Sequence, residues 1–244
     1  LSKGRSLELT EAGRITLNYA ENIHATGSEL LALFRDGNVK ARQVVRIGAV
    51  ATLSRNFQES FVAPVFERED VTLILQSGSL TELLTRLAVH NLDLVLSNRR
   101  VQADAAHPWH CQCITRQAVS LVSKPNLYPK PFRFPEDLQG ITIILPSTES
   151  ELRSGFDLIC EQYQIRLKVL AEVDDMAMLR VLARSTNAYV LVPTVVVRDE
   201  LRQGVLQECV RIPDLYEDFF AIGIKRHFEH PLIKTLLERK ELDV

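Results

Sequence analysis

Three short apolar runs, at residues 44–50, 71–76 and 92–97, alternate with two stretches that read as helices. This alternation constrains the chain more than any other feature. Successive βα units of this length can close only through right-handed crossovers onto a parallel sheet. Ser54 supplies a capping residue for the first helix, expected to run through Phe66 with Pro64 tolerated only near its end. Ser79-Leu80-Thr81-Glu82 is a capping box for the second, whose Leu83, Leu84, Leu87 and Ala88 share one face.

The pattern then repeats. Residues 113–123 read as a strand, after which Pro125, Pro129, Pro131 and Pro135 impose an extended loop. A turn-like element at 134–140 precedes a strand at 141–145, and Thr148-Glu149-Ser150-Glu151 is a second capping box leading a helix to about Gln164. A strand at 167–171 passes through Glu172-Val173-Asp174-Asp175 into a helix ending near Arg184. A strand at 189–192 follows, with a short helix from Pro193-Thr194 to about Arg202. Strands at 210–212 and 219–224 and a terminal helix, with Pro231 at its first position, are most simply returned to the first half. The connections near 113–123 and 210–219 would then form a hinge between two α/β halves.

The N-terminal segment differs. Thr10 is a good N-cap and Glu11 suits a first helical turn. Ile15, Tyr19, Ile23, Leu30 and Phe34 form an apolar stripe that calls for a partner helix, and Gly37-Asn38 stops it. The 244 residues, 46% hydrophobic and 25% charged, suffice for two compact domains. The longest apolar runs, such as 188–197, fall short of the roughly 20 residues that span a bilayer. Residues 1–10 have no apolar signal core, and Cys111, Cys113, Cys160 and Cys209 suggest no disulfide framework, so a cytoplasmic location with no membrane partner is expected. A net charge of −2 argues against this stretch holding nucleic acid by itself. No phosphate loop, dinucleotide fingerprint, nucleophile elbow or zinc-protease motif is present, so no catalytic residues are assigned and an enzyme is not expected.

Gly4-Arg5-Ser6-Leu7-Glu8-Leu9-Thr10-Glu11-Ala12-Gly13 resembles the end of the winged helix-turn-helix of LysR-type transcriptional regulators, where a ribbon of this kind leads into a long linker helix. The strand at 44–50 and Phe134-Pro135 followed by Leu138 and Gly140 are similar to that family's effector-binding domain. The second half, through Glu172-Val173-Asp174-Asp175, residues 187–194 and His230-Pro231, is similar to the family's sodium-responsive activators of Na⁺/H⁺ antiporter expression. The resemblance implies an α/β fold of two Rossmann-like, periplasmic-binding-protein-like subdomains joined by a two-strand hinge and preceded by the linker helix. Residues 1–40 would be the end of the winged helix-turn-helix and the dimerisation helix, 41–115 with 217–244 subdomain I, and 116–216 subdomain II. The helices that read DNA fall outside the sequence, so promoter DNA is the expected partner of an intact protein, with RNA polymerase a further candidate partner.

By the same resemblance the effector lies between the halves, at the carboxyl ends of the strands. Those ends carry Thr52, Leu53, Ser77, Gly78, Ser79, Ser97, Pro146, Ser147, Thr148, Asp174, Asp175, Pro193 and Thr194. Hydroxyls and helix N-termini favour an anion, although each Ser or Thr taken singly is more often only a cap. Asp174 and Asp175 cut against an anion, because the other positions are neutral and carboxylates attract a hard cation. Either aspartate, with hydroxyls such as those of Ser77, Ser147 or Thr148, is therefore a candidate site for Na⁺ or another small cation. The bland alternative makes Asp174 an N-cap and Asp175 a solvated acid. No other cofactor is expected; the remaining effector class is a small organic anion. His107, His110, Cys111 and Cys113 could suggest zinc or a redox role, but their spacing matches no recognised zinc pattern and no second Cys pair lies near in sequence. A homodimer or homotetramer is implied, through Ile15, Tyr19, Ile23 and Leu30 of the linker and Phe61, Leu73, Phe156 and Val169 of the two halves, packed antiparallel. A periplasmic-type solute-binding protein shares the two-lobed architecture and is the rival from a different class; the amphipathic N-terminal helix argues against it.

Overall fold

The computed structural model describes residues 9–10, 12–13, 16–17, 19–20, 23–24, 27, 43–104, 108–127, 131–224 and 231–239. Between 12 and 27 every described residue is helical, and the Thr10 hydroxyl accepts from the Gly13 backbone N–H at 3.1 Å, the expected cap. Tyr19 and Ile23 are exposed there, whereas Ile15 and Leu30 lie outside the described residues.

β1 (Gln43–Val50), α1 (Arg55–Phe66), β2 (Val71–Gly78), α2 (Leu80–Ala88) and β3 (Leu94–Ser97) form the first lobe. β1 lies between β2 and β3 and pairs with both in parallel. β4 (Trp109–Ser123) carries the chain into the second lobe. There β5 (Thr142–Pro146), α3 (Glu151–Gln162), β6 (Lys168–Val173), α4 (Met176–Ser185) and β7 (Tyr189–Pro193) repeat the plan, and β5 pairs in parallel with β6 and β7. A 3₁₀ turn at Thr194–Val197 and α5 (Arg198–Arg202) lead to β8 (Gln207–Ile224), and α6 (Pro231–Glu238) follows.

The described strands make one sheet in the order β2-β1-β3-β8-β4-β7-β5-β6. Parallel βαβ lobes thus flank an antiparallel pair, β4 and β8, which runs through both. The sequence reading split β8 into two strands, at 210–212 and 219–224. The structure keeps it continuous; Asp214 takes a φ of 55°, so the strand bends there without ending. β4 likewise begins four residues earlier than the apolar run suggested, because pairing with residues 221–224 recruits residues 109–112. The β4–β8 ladder shifts register three times, after Cys113, Ala118 and Leu121. Such bulges bend and twist a strand pair.

One apolar core runs through both lobes. In the first, Phe57 and Phe61 of α1 turn onto the sheet, and Phe57 meets Phe219 of β8 at 4.4 Å between ring centroids. In the second, Phe156 of α3 and Leu179 of α4 are buried on β5–β7. Phe61 and Phe156, expected at an intersubunit face, are therefore inside the molecule, since in each helix the aromatic side chain lies on the face that packs on its own sheet. Leu73 is half-buried against the core, and Val169 is open to solvent.

The lobes also touch beside the hinge strands. Asn56 of α1 is buried and donates to the Val195 carbonyl at 3.0 Å, while its oxygen accepts from Arg180 of α4 at 3.1 Å. Arg180 in turn pairs with the buried Glu200 at 2.7 Å and with Asp199 at 3.2 Å. Arg198 reaches Ser60 and Glu59 of α1 at 2.7 and 3.1 Å. A buried polar cluster of this kind holds one lobe orientation, because each group left unpaired would lose its compensation for desolvation.

Candidate functional site

The parallel strands of the two lobes run in opposite directions, and the carboxyl ends of β1 and β2 face those of β5 and β6 across a crevice between the lobes. That crevice has a volume of about 860 Å³. From the first lobe come Thr52, Gly78, Ser79 and Asn98 with Arg99 and Arg100; from the second come Pro146, Ser147, Glu149, Ser150, Glu151 and Asp174. β4 and β8 form the floor with Cys111, Cys113, Arg116, Tyr216, Glu217 and Asp218.

Six of the expected positions thus line the cleft: Thr52, Gly78, Ser79, Pro146, Ser147 and Asp174. The others are occupied elsewhere. Leu53 is core, and Ser97 is fully buried, its hydroxyl accepting from the Arg99 backbone N–H at 2.9 Å. Ser77 accepts from Arg55 at 3.0 Å and, like the exposed Thr148, is not among the lining residues. Pro193 and Thr194 also lie off the cleft, because β7 pairs directly with β4 and its end runs into the lobe contact. The two aspartates separate in role. Asp175 is the N-cap of α4, its carboxylate accepting from the Ala177 backbone N–H at 2.8 Å, and only Asp174 faces the cleft. The capping box at 148–151 also shifts, since α3 begins at Glu151 after Ser150, with no side-chain cap bond.

The cleft positions other than the aspartates are not neutral, as the sequence reading had them. The missed residues are charged, and they are segregated. The first-lobe wall carries Arg99 and Arg100 and no acid, whereas the second-lobe wall carries Glu149, Glu151 and Asp174 and no base. Arg99 and Glu151 meet across the mouth at 3.8 Å, both well exposed. On the floor Arg116 forms a two-bond pair with Asp218, at 2.6 and 3.0 Å, and its guanidinium lies 5.6 Å from the Tyr216 ring centroid. Glu217 is buried beside them, accepting from Asn98 at 2.9 Å. Burial pushes its carboxyl up to about 7, against the Asn98 hydrogen bond and with a small further rise from Glu151. One signal for the floor was present in the sequence: Tyr216-Glu217-Asp218 places two acids between Leu215 and Phe219, inside an otherwise apolar run.

Beneath the second-lobe wall, Arg153 is nearly buried and donates to Glu172 at 2.9 Å, to Asp157 at 2.8 Å and to the Pro146 carbonyl at 3.2 Å. It ties α3 to the ends of β5 and β6 and so fixes the loop that bears Ser147 and Glu149. Among the described residues no three His, Cys, Asp or Glu side chains are grouped to hold a metal ion, and no helix is long and apolar enough to cross a membrane.

Comparison with known proteins adds family and fold. The family described as "LysR substrate binding domain" matches residues 39–239. The transcriptional activator protein NhaR of Escherichia coli K12 is 24% identical over 235 residues, spanning 96% of this chain and 77% of NhaR. The crystal structure of CbnR, a LysR family transcriptional regulator, superimposes with a TM-score of 0.64 at 15% identity, over 95% of this chain and 80% of CbnR. Vibrio fischeri DarR, solved in complex with DNA, gives 0.63 at 17% identity, over 94% and 78%.

Proposed function

Because the chain belongs to the LysR substrate binding domain family, whose members here are transcriptional regulators and not enzymes, we propose that it is the effector-sensing part of a LysR-type regulator and that its effector is a small cation, Na⁺ first. Family membership also replaces the solute-binding alternative. The observation that carries the cation reading is the second-lobe wall, where Asp174, Glu149 and Glu151 face the cleft with no base among them. A hard cation takes oxygen ligands, and Asp174 with the neighbouring Ser147 hydroxyl offers them beside room for water. The likeness to NhaR supports the same choice.

In this reading the cation bridges oxygens at the second-lobe rim and weakens the attraction of Arg99 for Glu151, changing the preferred angle between lobes. An effector shifts such an equilibrium only by its differential affinity for the two lobe arrangements. The change passes through an antiparallel dimer, or a tetramer of such dimers, to linker helices and a winged helix-turn-helix on promoter DNA in the cytoplasm, where the protein activates transcription and can contact RNA polymerase. The test is thermal stability in NaCl against KCl at matched ionic strength, with wild type and Asp174→Asn. A sodium-specific rise lost in the variant is expected; equal responses to both salts would sink the sodium reading.

A second reading has its own support. Arg99 and Arg100, with Thr52 and the capped α2 N-terminus at Ser79, make the first-lobe wall suitable for a small organic anion. Arg100→Ala would abolish an anion response and leave a sodium response in place.

A further inference from the structure

Cys111 and Cys113 stand two residues apart on β4, opposite Ile222 and Phe220 and just before the first register shift of the β4–β8 ladder. Alternate residues of a strand share a face. Both cysteines line the cleft, while Gln112 between them reaches the opposite side and donates to the Leu237 carbonyl of α6 at 3.0 Å. Neither is in a disulfide. We propose that these two thiols form a second site on the cleft floor, which takes a soft, two-coordinate metal ion of the Cu(I) type. This site is independent of the cation reading at Asp174.

Geometry separates a chelate from a redox switch. Same-face neighbours on a strand are roughly 6.8 Å apart. A disulfide requires its two Cβ atoms at roughly 3.8 Å, which this ladder does not allow without moving the backbone. A linear sulfur–metal–sulfur unit with bonds of roughly 2.3 Å spans roughly 4.6 Å, and each sulfur reaches it by leaning about 1 Å toward the other. Zinc asks for four ligands, and no third His, Cys, Asp or Glu is grouped with the pair among the described residues. Thiolates without oxygen or imidazole partners select soft ions.

The proton and charge balance is explicit. Two S–H bonds break, two sulfur–metal bonds form, two protons leave, and the complex of a monovalent ion carries one negative charge. Arg116 and Arg100 act on Cys113 from close by and offset that charge. Burial, then Asp218, pushes the Cys113 thiol up, against these guanidiniums.

The experiment is anaerobic titration of the 244-residue chain with Cu(I) in competition with bathocuproine disulfonate. Expected are one ion per chain, an apparent affinity that falls about 100-fold for each pH unit of acidification because two protons are displaced, and a loss of about 100-fold or more in Cys111→Ser and in Cys113→Ser. Cys209→Ser, which alters a half-buried thiol bonded to Ser123, should bind as wild type. Wild-type affinity in either single variant, a one-proton pH dependence, or a loss confined to Cys209→Ser would overturn the proposal. The sodium response of Cys113→Ser should persist, so that failure here and failure at Asp174 remain distinguishable.

Discussion

Glu217 sits in the middle of β8 with its carboxyl buried and Asn98 as hydrogen-bond donor. Its ordinary value of 4.5 rises to about 7 in the fold, so between those values the folded chain binds a proton that the unfolded chain has released. Stability must then fall as pH rises through that window and level off above it, by up to about 3 kcal/mol at roughly 1.4 kcal/mol per pH unit. Glu217→Gln keeps the hydrogen-bonding shape and removes the titration. Urea unfolding midpoints across that range should decline in wild type and stay flat in the variant. Gly48 makes a simpler case. A Cβ there would stand 2.7 Å from Leu92 Cδ1 and 2.9 Å from Leu83 Cδ2, both in fully buried side chains. Gly48→Ala should cost about 1–3 kcal/mol by overpacking, read from the same unfolding curves, with m unchanged.

Among the elements, α4 states most clearly what its first turn requires. Asp175 satisfies an otherwise unpaired N–H, so Asp175→Ala should lose about 1 kcal/mol of stability without altering the sodium response, the converse of Asp174→Asn. Differential scanning calorimetry with and without NaCl reads both. From sequence, the pair could not be divided, because either acid suits a cap and only the backbone of β6 decides which one faces the helix. The βα units were legible for a local reason: Ser54 and Ser79 cap the helices they announce, and the apolar runs of β1, β5 and β7 are buried strands. The hinge was half legible. β4 was found from Cys113 onward and β8 at its apolar stretches 210–212 and 219–224, but the start of β4 and the polar middle of β8 become strand only by pairing with each other. The cleft was least legible, since Arg99, Glu149 and Asp218 belong to one site only after three separate segments meet. Strand-end hydroxyls such as Ser77 and Ser97 misled because their partners, Arg55 and the Arg99 N–H, belong to the first lobe itself.

At the scale of the molecule, β2 and β6 are the two edges of the sheet among the described residues. Near them apolar side chains stand open: Phe66 at 72% exposed, Leu158 at 66%, Leu170 at 57% and Val169 at 46%. Bare edges flanked by apolar residues invite pairing with another chain, which agrees with the proposed antiparallel dimer. Val169→Lys should shift the assembly toward smaller species, seen by light scattering, while the far-ultraviolet spectrum is retained. The lobes themselves are joined unequally. The chain leaves the first lobe along β4 and returns only along β8, so β3 has no second neighbour until residues 220–222 arrive. By Arg202, in contrast, β4, β7, β5 and β6 can already lie side by side with α3, α4 and α5 in place. On a ribosome, where residues emerge in order, the later half of the sequence should therefore pack before the earlier half. Chains stalled so that residue 206 has just cleared the ribosome should resist protease between β4 and α5 and remain cleavable between β1 and β3. Equal protection of both would refute this order, in which the first lobe, although made before the second, waits for β8.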